Sequence, residues 1–425
     1  MFQKFKTSLI FCFFVSIGTL FPQEKTNQLP TWEEGMMDIH HINTGRGDAA
    51  FLILPDGTTI LVDAGDMSET HPRTLSARNA SQRPNNSRSA PEWIADYIYQ
   101  FLPKKEIKQL DYALITHYHD DHFGEMDANR AMAEVGDYFL TGITEIGNLI
   151  PIKMLLDRGS DYPIDLKSKK VQSELDKNDA YGMIATLNNY WNFIAQQIGM
   201  KGMHHETLIA GALNQIKLKN AAGSYPDFKI RNIAVNGNIW TGEATDIFSL
   251  FSEGIYPGEN PLSTCIKISY GDFDYFTGGD ISGNDAFGQA DLNSVESNIA
   301  PVLGPIDVAT LNHHGNRDSQ NTYYVRTIRP RVWVQQNWSS DHPGEEVLRR
   351  ITSKTLYPGE RDIFSTVMLQ PNKDVIGGRL NSYTSLNGHI VVRVSKHGKT
   401  YKIFVLNDAS ANREVISEHG PYASR

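Results

Sequence analysis

The chain has 425 residues, 40% of them hydrophobic and 21% charged, with 34 glycines and 19 prolines. That balance excludes a disordered, collagen-like or fibrous protein, and two cysteines exclude both a disulfide scaffold and a cysteine-rich zinc cluster. A formal net charge of −9 lacks the basic footprint of a protein that grips phosphates along a nucleic acid, so such a substrate is open but not favoured.

At the N-terminus, Lys4 and Lys6 precede an apolar run from Thr7 to Phe21, and the polar stretch Gln23–Asn27 follows it. A basic start, a short apolar core and a polar exit describe a signal peptide over residues 1–22. The run is short for a membrane span and no stop-transfer charge cluster follows it, so no stable membrane insertion is expected after cleavage. The expected product is exported, periplasmic or extracellular, with Cys265 as its remaining cysteine.

Residues 36–64 read as short strands at Met37–Ile42, Ala49–Leu54 and Thr59–Val62. They are separated by the turn-rich Asn43–Asp48 and the tight-turn signal Pro55-Asp56-Gly57. A polar loop covers 66–90. Pro91 then opens a helix carrying Trp93, Ile94, Tyr97, Ile98 and Phe101, with Ser89 as its cap. A strand is predicted at Asp111–Thr116. Residues 125–220 look mostly helical, with Met183, Leu187, Tyr190, Trp191 and Ile194 at core-packing helical spacing. Strand signals return at Ile230–Val235, Ser263–Tyr270, Asp274–Phe276, Asp307–Leu311, Val332–Gln335, Ile390–Val394 and Tyr401–Val405. Two blocks of strands separated by helices predict an α/β fold. It is read as one domain over 23–410 with a helical insertion at about 130–225, followed by a C-terminal tail at 411–425.

The strongest chemical signal is Thr116-His117-Tyr118-His119-Asp120-Asp121-His122-Phe123-Gly124. His117 and His119 are two apart, so in extended backbone both imidazoles point to one side. Asp121 and His122, beyond the turn, face a second point. Imidazoles and carboxylates this crowded are what a zinc-like dication binds. Two further strand ends carry the same residue types: Phe276-Thr277-Gly278-Gly279-Asp280 and Asn312-His313-His314-Gly315.

Together these motifs resemble the metallo-β-lactamase-fold hydrolases, whose hallmark His-x-His-x-Asp-His stands here at 117–122. Within that group the chain looks most like the C-terminal hydrolase domain of ComEC-type competence proteins and related secreted phosphodiesterases, including phosphorylcholine esterases. The resemblance runs through Gly45-Arg46-Gly47-Asp48-Ala49, Leu54-Pro55-Asp56-Gly57, Leu61-Val62-Asp63-Ala64-Gly65, Thr277–Asp280, His313-His314-Gly315, Asp341-His342-Pro343 and Asn387-Gly388-His389. It implies a four-layer αββα sandwich and two divalent metal ions, zinc first and manganese second. Carried over, His117 and His119 bind one ion, Asp121 and His122 the other, and Asp280 bridges. One histidine of the 313–314 pair completes the second site, with His314 preferred as ligand and His313 as its neighbour.

The resemblance places Asp121, His313 and His342 at the reacting atoms, with His342 as a candidate proton donor, while Asp48 and Asp63 hold loops beneath the site. It also exposes a departure. Many members supply another histidine to the first ion before the bridging aspartate, and here that interval holds only His204 and His205, in no matching context. The implied function is an exported metal-dependent hydrolase acting on a phosphodiester or related ester. The competing readings are a mono-iron oxidoreductase of the same fold and a non-catalytic secreted binding protein. The di-iron type carries glutamate where this chain has His119.

Overall fold

The computed structural model describes residues 27–178 and 182–425. The predicted signal peptide, residues 1–22, lies outside the described residues. Among those described, no helix is long and apolar enough to cross a membrane.

In chain order, β1 (Met37–His41), β2 (Ala50–Ile53) and β3 (Thr59–Val62) form an antiparallel meander, as the turn signals predicted. Helix α1 (Ala90–Phe101) follows with Ser89 as N-cap; its side chain accepts from Glu92 N, and Glu92 reaches back to the Ser89 backbone. Next come β4 (Leu110–Leu114), a single turn α2 (Asp120–Phe123), α3 (Gly142–Leu149), β5 (Ile152–Asp157), α4 (Lys169–Leu175), α5 (Met183–Lys201) and β6 (His204–Thr207). The second half opens with β7 (Phe228–Val235), β8 (Asn238–Trp240), β9 (Ile247–Ser249), β10 (Cys265–Tyr270) and β11 (Phe273–Thr277). It continues through α6 (Val295–Leu303), β12 (Val308–Thr310), α7 (Thr322–Ile328), β13 (Val332–Gln335), α8 (Glu345–Ile351), β14 (Asp362–Ser365) and α9 (Gln370–Ile376). The last strands are β15 (His389–Val394), β16 (Thr400–Leu406) and β17 (Val415–Ala423).

These strands make two mixed sheets, ordered β17-β16-β15-β1-β2-β3-β4-β5-β6 and β14-β13-β12-β11-β10-β7-β8-β9. The two-residue period of a strand decides how they stack. In β2, Phe51 and Ile53 face α1, α3 and α5, whereas Ala50 and Leu52 face the other sheet. In β11, Tyr275 faces the first sheet and Phe276 faces α6 and α7. Three apolar layers therefore separate four structural layers, and the αββα metallo-β-lactamase sandwich is the architecture. Strands covered on both faces read as continuous apolar runs, which is why β2, β4 and β12 were legible.

Two expectations need correction. The segment 130–225 is not a helical insertion: β5 and β6 within it extend the first sheet in parallel from β4, and α3 and α5 belong to the outer helical layer. A short apolar run such as Ile152–Asp157 has no period that separates strand from buried helix. The polar edge strand His204-His205-Glu206-Thr207 carries no hydrophobic signal at all. Residues 411–425 are not a free tail either, because β17 pairs antiparallel with β16 and stacks Tyr422 on Tyr401, ring centroids 5.1 Å apart. The predicted stripe on α5 is core, with Leu187, Tyr190 and Ile194 buried.

Candidate metal centre

The chemistry-bearing residues gather at the carboxyl ends of parallel strands, where the backbone leaves the sheet and side chains turn outward. The end of β4 delivers His117 to His122, that of β11 Asp280, that of β12 His313 and His314, and that of β13 Trp338 and His342. Two glycines allow the first loop to close. A Cβ at Gly47 or at Gly65 would lie 2.2 Å from the carbonyl oxygen of Asp121, and that oxygen accepts Asp48 N at 2.8 Å. The Gly45–Asp48 and Asp63–Gly65 motifs are thus the cradle on which the histidine loop rests.

Two groups of ligand atoms result, each with all atoms within 4.8 Å of one another: His117, His119 and Asp280, and Asp121, His122, Asp280 and His314. Asp280 belongs to both. Its Oδ1 lies 3.2 Å from His122 Nε2, and its Oδ2 lies 3.4 Å from His314 Nε2 and 3.7 Å from His117 Nε2. His117 Nε2 and His119 Nδ1 stand 3.1 Å apart, and His314 Nε2 is 3.0 Å from Asp121 Oδ2. Apart from His119, which is partly open, these residues are buried. His314 thus enters the second group, while His313 stands beside it with Nε2 3.9 Å from Asp280 Oδ2 and Nδ1 2.8 Å from Asp318. His205 instead pairs with Asp157 at 2.9 Å, and neither it nor His204 joins either group.

Electrostatics follow from packing carboxylates among imidazoles. Burial alone would lower His122, but Asp280, Asp121 and Asp63 outweigh it and hold its pKa well above the ordinary value. His314 behaves alike, burial being overcome by Asp280 and Asp48. Conversely, burial would raise Asp280 and Asp121, yet the surrounding histidines, His122 foremost, pull both well below the usual carboxylate range. His117 falls well below its ordinary value through burial and then His122. Groups that bind protons this cooperatively are the groups for which a cation competes, so occupancy will release protons.

Outer contacts orient the ligands. Asp63 Oδ2 takes His122 Nδ1 at 2.9 Å and Thr116 Oγ1 at 2.7 Å, while Oδ1 takes Thr116 N at 2.8 Å; Asp48 Oδ1 lies 3.2 Å from His314 Nδ1. Both aspartates hold loops and rings rather than joining the ligand groups. The turn bearing His313 and His314 puts both in the left-handed region, at φ 48° and 54°, a conformation that costs non-glycine residues energy and concentrates at functional sites. It is over-determined: His313 N donates to Gly279 O (3.0 Å), Gln335 Nε2 to His314 O (2.8 Å), and Asn312 Nδ2 to the buried Glu296 (2.8 Å).

Residues 44–128 match the family model of the metallo-beta-lactamase superfamily. The match contains β2 to β4 and the His117–His122 loop, and the fold then brings Asp280 and His314 onto the same centre. No curated protein matches the chain.

The centre floors a cavity of about 600 Å³ lined by His119, Asp120, Asp121, Asp280, His313, His314 and His342. His342 is buried, its ring 5.0 Å from that of His314. Several lining residues escaped the sequence reading. Trp338 donates Nε1–H to Asp121 Oδ2 at 2.8 Å, and Arg73 lies over its ring, 5.5 Å from the centroid. Arg73 pairs with Asp120 and Arg78 with Asp341, placing two cations at the mouth. Asn260 and Asn316 also line it. Trp338 had a signal in its closeness to Asp341-His342-Pro343; the arginines, in a long polar loop, had none.

Proposed function

We propose that this protein is an exported dinuclear metal-dependent hydrolase acting on a phosphodiester or a related anionic ester. The observation that carries the reading is Asp280, whose Oδ1 faces His122 and whose Oδ2 faces both His314 of that ligand group and His117 of the other. The donor set fits dications: neutral imidazole and carboxylate atoms converge on two points, and His122 Nε2 and His314 Nε2 are buried without hydrogen-bond partners. His117, His119 and Asp280 would hold one ion, and Asp121, His122, Asp280 and His314 the other; zinc is the first choice and manganese the second. Bound there, two dications supply Lewis acidity and a nucleophile at neutral pH.

The chain's own residues then divide the remaining work. Trp338 fixes Asp121 through Oδ2, leaving that carboxylate aligned to orient the proton of the attacking water. Asp318 engages His313 Nδ1, so Nε2 is the atom that exchanges a proton over the cavity. Against the lowering effect of burial, Asp280 and Asp318 raise His313 above its ordinary value. His342 differs: burial, then His314 and His313, hold it well below, so it stays neutral. The proton-donor role expected of His342 therefore passes to His313, and His342 shapes the wall. Arg73 and Arg78 at the mouth suit an anionic group, and the acidic chain around them favours a compact ester over a long polyanion. Likeness to ComEC-type and phosphorylcholine esterase domains points the same way, and export rests on the sequence of residues 1–22.

The test pairs elemental analysis with hydrolysis of bis(p-nitrophenyl) phosphate, for wild type and Asp280→Ala. Close to two zinc or manganese ions per chain, with activity lost in the variant, is the expected result. One iron per chain and no hydrolysis would replace the proposal with the mono-iron oxidoreductase.

A further inference from the structure

The cavity over the centre is walled almost wholly by polar groups. Among the described residues that line it, only Pro72 and Trp338 are apolar. Trp338 is already engaged: Arg73 lies over its ring, 5.5 Å from the centroid, and the rings of His314 and His342 meet it near-perpendicular, with centroids 6.0 and 5.8 Å away. A nucleobase is held by stacking on a bare aromatic face, a quaternary ammonium group by an aromatic cage, and an acyl chain by an apolar wall. Among the described residues, this cavity presents none of the three. We propose that the organic groups of the substrate are hydroxylated, as in a glycerol- or sugar-type phosphodiester, and that Ser76, Asn79 and Ser339 recognise their hydroxyls. The inference rests on the hydrolase reading and narrows its substrate.

Each of the three residues has one polar group tied to the chain and another left over, and all three line the cavity. Asn79 donates Nδ2–H to Arg73 O, which fixes the carboxamide and leaves Oδ1 to accept. Ser339 Oγ accepts Asp341 N at 3.4 Å and Ser76 Oγ accepts Arg78 N at 3.3 Å, so both hydroxyls keep a proton to donate. A hydroxyl group is donor and acceptor at once, and a wall holding an acceptor beside donors matches it. An alkyl group in the same place would leave those wall groups without a partner.

The backbone holds this wall together before any substrate arrives. Ala80 N donates to Trp338 O and Ser340 N to Arg78 O, each at 2.7 Å, on either side of an antiparallel bridge between Asn79 and Ser339. Polar groups fixed in this way lose little freedom on binding, which favours recognition by geometry. The same stretch carries Arg73 and Arg78, paired with Asp120 and Asp341. One segment of chain therefore meets both the charge of a phosphate and the hydroxyls of its substituents.

The experiment uses the full metal-loaded chain and two competitors of bis(p-nitrophenyl) phosphate hydrolysis. Glycerophosphoglycerol and dipropyl phosphate share one diester skeleton and differ only in hydroxyl groups. Glycerophosphoglycerol should inhibit about tenfold or more tightly than dipropyl phosphate, and should itself be cleaved to release glycerol. Asn79→Ala and Ser339→Ala should each shrink the ratio of the two inhibition constants by about two- to tenfold. Because the ratio is taken within one protein sample, partial unfolding or metal loss in a variant does not move it. If dipropyl phosphate competes as well as glycerophosphoglycerol, or if both variants keep the wild-type ratio, the inference fails while the hydrolase stands. If metal-loaded wild type cleaves neither bis(p-nitrophenyl) phosphate nor glycerophosphoglycerol, the hydrolase reading fails and takes this inference with it.

Discussion

Replacing Asp63 by asparagine separates the orientation of a ligand from its presence. Asp63 sits at φ 60°, a conformation asparagine tolerates, so the backbone has no reason to move. Its carboxylate accepts three hydrogen bonds, from Thr116 N, Thr116 Oγ1 and His122 Nδ1, at 2.8, 2.7 and 2.9 Å. The last of these fixes a ring proton on Nδ1 and leaves Nε2, which faces Asp280, as the atom a cation would take. Asparagine has one oxygen, and the Thr116 backbone N–H demands it. Its NH₂ then faces His122 Nδ1, which must become an acceptor, and the ring proton moves to Nε2, the atom that should bind a cation. Outer-shell losses of this type cost roughly 10–100-fold in metal affinity, about 1.4–2.7 kcal/mol. Chelator competition measures the affinity, and circular dichroism checks that the fold survives. Asp63→Asn protein that binds metal as tightly as wild type would refute the argument that Asp63 sets the His122 tautomer.

Three further outcomes follow from the same physics. Trp338→Phe keeps the aromatic wall but removes the 2.8 Å donor to Asp121; it should weaken the half of the centre that contains Asp121 by several-fold to about tenfold while leaving the melting temperature nearly unchanged, as metal titration and thermal unfolding will show. Glu259→Gln leaves the fully buried Arg158 without its counter-charge, a loss of about 3–5 kcal/mol that denaturant unfolding should register; an unchanged unfolding midpoint would contradict it. Burial, then Asp66, push Glu145 up to about 7 from an ordinary 4.5. A carboxyl raised on folding stabilises fully below its unfolded pKa and loses that contribution as pH rises through its folded value, so stability should decline between pH 4.5 and 7. Glu145→Gln, which can still accept from Ser89 Oγ, should therefore melt higher than wild type at pH 8, with the difference shrinking at pH 4.5. An equal difference at both pH values would rule the titration out.

The meander, α1 with its Ser89 cap and the doubly buried strands were legible because local rules govern them: turn chemistry, capping and apolar runs. So was the His117–His122 loop, since six consecutive residues hold most of one ligand set. The strands β5, β6 and β17 were not legible. Their place depends on which edge of a sheet lies open beside them, and nothing in Ile152–Asp157 or Val415–Ala423 encodes that neighbour. Trp338 and Arg73 were missed for a related reason, because each acquires its role from a partner 47 or more residues away.

By itself, then, the sequence determined the kinds of side chain at each strand end and hence the chemistry available: imidazole and carboxylate in a spacing suited to cations. Tertiary structure alone decided how they divide. It gave Asp280 to both groups, put His314 rather than His313 among the ligand atoms, and left His204 and His205 outside. The reason is geometric. Spacing along one strand sets which side a residue faces, but distances of 3–4 Å between residues on different strands exist only after two sheets have packed and their carboxyl ends have met.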